Sequence, residues 1–203
     1  MIHNDKRTGH NNSSPLGRML SLIDSPNSPI RFLILDCPTE STLGYYIDEF
    51  VQLSVATVVR CCQPTYSISR LQEHDIQVID LPFKDGGVPP PQVVREWLAL
   101  VEQARDQEDQ QTIAVHCVAG LGRAPVLVAI ALIEMGVKPL DAIEFIRTKR
   151  RGAFNKPQIA YLDTYKRTMK PRSSGSHYSL RSSLERMFKF GGTKAVTPVS
   201  QHI

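Results

Sequence analysis

The chain has no run of eighteen apolar residues; its longest apolar stretch follows Pro125 and ends at Glu134. That is enough for a buried helix and too little to span a bilayer. The opening segment, Met1 to Ser14, is polar, so no secretory signal is expected. Cysteine is sparse: Cys37, Cys61, Cys62 and Cys117, with no pair at the spacing of a zinc site. Free thiols in a reducing, cytoplasmic compartment are therefore expected. Internal repeats are absent too, which excludes a solenoid or propeller.

What remains is a 203-residue chain with 41% hydrophobic and 22% charged residues, enough for one ordinary core with tails. The net charge of +4 hides an asymmetry: residues 147 to 189 hold twelve basic side chains against Asp163 and Glu185, leaving the rest of the chain at −6. A basic C-terminal third suits an anionic partner, whether a phosphorylated ligand, a membrane surface or a nucleic acid, or simply a solvated helical face. No aromatic-interleaved recognition motif accompanies the charges, which argues against nucleic acid.

Residues 1–29 are rich in Asn, Ser, Gly and Pro and predict a disordered arm. Residues 30–36, 56–61, 76–81 and 112–116 read as strands. Residues 42–53, 89–101, 124–135, 139–149 and 157–169 read as helices. The order β-α-β-β-α-β-α-α-α predicts an α/β domain over 30–170 with a mostly parallel central sheet flanked by helices. Residues 171–203 form a basic tail, partly disordered. In it Leu180, Leu184, Met187 and Phe188 recur at helical spacing among Arg181, Arg186 and Lys189. The pattern fits an amphipathic helix on an anionic membrane, and equally a helix docked on the domain or a variant tail.

The chemistry concentrates in His116 to Pro125, HCVAGLGRAP. A cysteine ends a buried strand, and six positions later an arginine opens a helix. Backbone N–H groups at such a turn converge on an anion, and the helix dipole adds favourable potential. Gly120 and Gly122 permit the tight cradle made by Val118, Ala119, Gly120, Leu121 and Gly122. Arg123 can clamp two phosphoryl oxygens with its planar fork. The same environment favours the thiolate of Cys117, which can attack phosphorus and form a cysteinyl-phosphate. His116 is expected behind the loop, ordering it by hydrogen bonding. A general acid must protonate the leaving group. Asp85, in the loop Pro82 to Gly87 (PFKDGG), is the best candidate; Asp80 competes but lies in a strand pattern.

The loop HCVAGLGRAP, the string PFKDGG at 82–87 and the string FIRTKRRGAFN at 145–155 resemble the phosphatase-of-regenerating-liver (PRL, type IVA) protein tyrosine phosphatases of the dual-specificity superfamily. The similarity runs from about Arg31 to Met169. It implies a cysteine phosphatase fold, no metal or other cofactor in catalysis, Cys117 as nucleophile, Arg123 as phosphate clamp and Asp85 as general acid. It also gives meaning to Ala124, where most cysteine phosphatases carry a hydroxyl that helps the thiolate leave. Alanine cannot donate that hydrogen bond, so phosphorylation of Cys117 should be easy and its hydrolysis slow. The resemblance further implies a reversible disulfide between Cys62 and Cys117; Cys37 reads as structural.

Family members usually end in a prenylation box, whereas no cysteine follows Cys117 here, so no prenyl anchor is expected. The site is expected to act on phosphotyrosine proteins. The loop interior is apolar (Val118, Ala119, Leu121) and lacks the lysines of a phosphoinositide-specific loop. The resemblance also implies a second role, as a phospho- and redox-switched module binding CNNM-type magnesium transport mediators. It further implies weak homo-oligomers. Placement is expected to be cytoplasmic, peripheral at the inner membrane face, or nuclear.

Overall fold

The computed structural model describes Leu16 and residues 19–26, 28–107 and 109–169. Five strands form one sheet: β1 Leu20–Asp24, β2 Arg31–Leu35, β3 Val55–Arg60, β4 Gln77–Asp80 and β5 Thr112–His116. Their order is β1-β2-β5-β3-β4. Every pairing is parallel except β1 with β2. The expected mostly parallel α/β sheet is therefore what forms.

Side-chain alternation splits the core between the two faces of the sheet. Phe32, Ile34, Val59, Ile113 and Val115 pack on one face, and Leu33, Leu35, Val58 and Ala114 on the other. The second face is covered by helix α1, Leu43–Gln52, through Leu43, Tyr46, Ile47 and Phe50. A short helix α2, Ser69–Gln72, adds Leu71; its single turn carries no periodicity to read and was not expected. The first face receives α3 Pro91–Arg105, α4 Arg123–Glu134, α5 Pro139–Lys149 and α6 Lys156–Asp163. Proline opens α3 and α5 at the position where its missing N–H costs nothing. Helix α4 is buried on every side, which explains a sequence that is apolar all round. Trp97 Nε1 donates to Leu127 O at 2.7 Å and locks α3 against α4.

Three expectations need correction. The arm 1–29 is not wholly disordered: residues 20–24 form edge strand β1, fully paired with β2 from Leu20↔Leu35 to Asp24↔Arg31. It buries Ser21 and Ile23, and Leu16 is buried beside it. Five residues with alternating burial are too few to stand out among Asn, Ser and Pro neighbours. The domain consequently begins before residue 30. The last helix stops at Asp163 rather than 169. The segment after it is held by Glu134, whose carboxylate accepts from Tyr165 Oη, Thr168 N, Thr168 Oγ1 and Met169 N at 2.8–2.9 Å. Burial alone would raise the Glu134 carboxyl, but these donors outweigh it and lower it. The basic tail 171–203, with its amphipathic pattern, lies outside the described residues.

Candidate active site

The site sits where β5 gives way to α4. His116 ends β5 in register with Leu35 of β2 and Arg60 of β3, so the loop that follows emerges between two flanking parallel strands at their C-terminal ends. This is the usual place for a ligand in an open parallel sheet.

The loop owes its shape to bonds on its outer side. Five consecutive carbonyls turn away from its centre and accept hydrogen bonds from the surrounding protein. Val118 O accepts from Cys37 N at 2.9 Å, Leu121 O from Phe154 N at 2.8 Å and Gly122 O from Val126 N at 3.1 Å. Ala119 O and Gly120 O both accept from the Arg150 guanidinium, at 3.0 and 3.1 Å. In a trans peptide the N–H points opposite its carbonyl. The N–H groups of Ala119, Gly120, Leu121, Gly122 and Arg123 therefore face the loop's interior, at the start of α4, where the helix dipole favours an anion.

Gly120 has φ +64°, and a Cβ there would lie 2.5 Å from both Arg150 Nη2 and Leu35 O. Only glycine fits. Gly122 is not left-handed; a Cβ would meet Gln158 Nε2 at 3.2 Å.

Cys117 is almost fully buried at the base of this cradle. His116 is wholly buried behind it, with Nε2 2.8 Å from Tyr66 Oη. Burial pushes the imidazole down to about 4, against an opposing hydrogen bond to the Cys117 backbone. It is therefore neutral at physiological pH and acts as a fixed strut.

Arg123 is the first residue of α4 and is also buried. Its Nη1 donates to Cys61 O at 3.0 Å and Phe83 O at 3.3 Å, which fixes the guanidinium plane. Its Nη2 lies 3.0 Å from Asp85 Oδ1, and its buried Nε has no hydrogen-bond partner among the described residues. Asp85 is largely exposed, at the mouth of a cleft of about 320 Å³ whose floor includes Cys117 and Gly122. The competitor Asp80 is engaged elsewhere, gripped by Arg60 through contacts of 2.6 and 2.8 Å.

The loop carrying Asp85 is held by the start of α6. Asn155 Nδ2 donates to Gly86 O and Gln158 Nε2 to Gly87 O, both at 2.9 Å. The same two residues form the capping box of α6. The sequence suggested no site role for either, nor for Arg150 or Tyr66. A signal for Asn155 and Gln158 existed in the Asn-x-x-Gln spacing of a capping box, and Arg150 lies inside a string already singled out.

The thiols divide into two groups. Cys61 shares a core cluster with Cys117. Burial, then the neighbouring Cys117, pushes its thiol well up. Cys62 Sγ lies 3.7 Å from Cys37 Sγ and 4.0 Å from His116 Nδ1. The potential metal-binding atoms of Cys37, Cys62 and His116 fall within 4.8 Å of one another.

A buried cysteine beneath inward N–H groups, a buried arginine and a carboxylate on a separate loop are the arrangement expected of a cysteine-dependent phosphatase. The comparisons agree: the family model described as "Swiss Army Knife protein, DSP-PTPase phosphatase domain" matches residues 27–179. The chain belongs to the type IVA (PRL) protein tyrosine phosphatase family. It is 49% identical over 148 residues to human protein tyrosine phosphatase type IVA 3, covering 73% of this chain and 86% of that protein. It is 47% identical over 148 residues to the PRL-1 phosphatase of Drosophila melanogaster, covering 73% and 84%. A solved chain from Leishmania major, named as a protein tyrosine phosphatase, superposes with a TM-score of 0.66 at 46% identity, over 73% of this chain and 99% of that one. Among the described residues no helix is long and apolar enough to cross a membrane.

Proposed function

We propose that this tyrosine phosphatase works as a slow enzyme that accumulates its cysteinyl-phosphate. In the first step Cys117 Sγ attacks phosphorus, the S–P bond forms and the ester P–O bond breaks. Asp85 gives its proton to the leaving oxygen. The developing charge falls on the inward N–H groups and on Arg123, where preorganised donors are worth most. In the second step water must displace the thiolate from phosphorus. The observation that carries the reading is Ala124: it directly follows the arginine, is fully buried and offers no hydroxyl to the departing sulfur. Hydrogen bonds to charged partners contribute roughly 1.5–3 kcal/mol, so its lack should slow dephosphorylation by about 10- to 100-fold.

Ala124→Ser is the test. Steady-state turnover of an aryl phosphate should rise while the rate of the first turnover stays constant. A turnover unchanged in Ala124→Ser, with the fold intact, removes the argument.

A second reading rests on the exposed apolar side chains Val118 and Leu121 at the cleft mouth, beside Arg123. This surface suits an acidic loop with an apolar neighbour, as a CNNM-type magnesium transport mediator would present. Phosphorylation of Cys117, or its disulfide with Cys62, would then switch binding off. Arg123→Glu should abolish such binding while Asp85→Ala lowers only turnover. If both substitutions change turnover alone, this role is lost.

A further inference from the structure

We infer that Cys37 and Cys62 form a second oxidisable pair, closing a disulfide beside the phosphate loop that diverts Cys62 from Cys117. The topology places three thiol-bearing segments at the C-terminal ends of three adjacent parallel strands. Leu35, His116 and Arg60 stand side by side in register across β2, β5 and β3. Two residues beyond Leu35 is Cys37, and two residues beyond Arg60 is Cys62. Alternation sends Cys62 to the face of His116, whereas Cys61 and Cys117, one residue past their strands, join the opposite cluster with Trp97.

The result is the contact observed: Cys37 Sγ and Cys62 Sγ at 3.7 Å, with Cys62 Sγ packed against the His116 ring. Both loops are pinned. Cys37 N donates to Val118 O at 2.9 Å, and Thr65 Oγ1, which lies 3.1 Å from Cys37 Sγ, donates to Pro38 O at 2.6 Å. The sulfurs need close only to the bonded distance of about 2.05 Å, which side-chain rotation can supply. Cys37 is half-buried and Cys62 nearly inaccessible, so Cys37 is the side that meets a solvent oxidant. Burial, then Cys37 itself, pushes the Cys62 thiol up to about 12, so it waits as the protonated resolving partner.

The chemistry balances with hydrogen peroxide as oxidant. The Cys37 sulfur attacks a peroxide oxygen, the O–O bond breaks, and Cys37 sulfenic acid and one water result. Cys62 sulfur attacks the sulfenic sulfur, the S–O bond breaks, and the hydroxide leaves as a second water with the Cys62 proton. Two thiols and one peroxide give one disulfide and two waters. Where Cys62 has first bridged to Cys117, Cys37 thiolate can attack Cys62 sulfur and expel Cys117 thiolate. That exchange involves no net redox change and returns the nucleophile to service.

The experiment treats the reduced full chain with equimolar hydrogen peroxide, blocks remaining thiols with N-ethylmaleimide, and maps tryptic peptides by mass spectrometry. Cleavage at arginine puts Cys37 in residues 32–60, Cys61 and Cys62 in 61–70, and Cys117 in 106–123. The expected product links 32–60 to 61–70, with fragment ions placing the bridge on Cys62, and with Cys117 still alkylated. Cys37→Ser, which replaces a thiol with a near-isosteric hydroxyl and should melt like wild type, should lose that link and lose more phosphatase activity to the same peroxide dose. A wild-type product linking 61–70 to 106–123, in the same yield as in Cys37→Ser, overturns the inference. So does stoichiometric binding of zinc ion by the reduced chain that Cys37→Ser abolishes, since the pair would then be a metal site with His116.

Discussion

Arg150 holds two carbonyls of the loop between β5 and α4, and Arg150→Met tests whether it sets that loop's shape. The side chain is buried and spends all three guanidinium nitrogens on carbonyls: Nε on Gly120, Nη2 on Ala119 and Nη1 on Met19. Methionine fills similar volume with no donor. Hydrogen bonds to a charged donor contribute about 1.5–3 kcal/mol each. They are not additive, and removing a buried cation returns part of its desolvation cost. A net loss of about 3 kcal/mol is expected, a Tm lower by about 6–12 °C for a domain of this size. Catalysis should suffer separately. With the Ala119 and Gly120 carbonyls released, the N–H groups of Gly120 and Leu121 lose their aim, and one misdirected oxyanion donor costs about 100-fold or more. The assay is stopped-flow on an aryl phosphate, reading the first turnover at a temperature well below the variant's Tm. A normal first-turnover rate despite a lowered Tm would refute the claim that Arg150 orients the loop, leaving it a purely structural tie between β1 and the domain.

Three other outcomes follow from the same geometry. Gly120→Ala must place a Cβ at φ +64°, 2.5 Å from Leu35 O; the left-handed backbone alone costs about 1–2 kcal/mol, so it should be destabilised and fail to phosphorylate, which thermal melts and intact mass will show. His116 binds its proton near pH 4 when folded, because it is buried, and near 6.5 when unfolded. Between those values the unfolded state holds more protons, so stability should fall as pH drops from 6.5 toward 4, by about 3 kcal/mol in all. Urea titrations across that window check the slope, which should flatten in His116→Asn. Glu134→Ala leaves the four donors of residues 165–169 without their acceptor; a loss of about 2–3 kcal/mol is expected, with faster proteolysis after Asp163 and little change in first-turnover rate.

The parts of this protein that are legible in its sequence are those where adjacent residues carry the whole signal. The strand Thr112–His116, the glycines of the loop and Arg123 at the mouth of α4 follow from short-range pattern and turn chemistry. Asp85 follows from its place on a loop between a strand and a proline-opened helix. The rest depends on contacts between distant segments. Nothing near Leu20–Asp24 indicates that it pairs with Arg31–Leu35, because an edge strand needs only half its residues buried. Arg150 reads as one more charge in a basic run until the fold carries it to Ala119 and Gly120. Gln158 reads as a helix-start residue, and only the packing of α6 makes it a clamp on Gly87. Cys37 was expected to be structural, and only the parallel register of β2, β5 and β3 brings it to Cys62.

In the proposed reaction Cys117, under inward-facing N–H groups, takes the phosphoryl group onto its own sulfur. Rapid mixing of the full, reduced chain with an aryl phosphate, acid quench and intact mass measures this directly. Close to one phosphate per chain is expected within the first turnover, located on Cys117, absent in Cys117→Ser and decaying slowly in wild type. An aryl phosphate hydrolysed at undiminished rate by Cys117→Ser, or a wild-type chain that never acquires the adduct and never turns over, would contradict it.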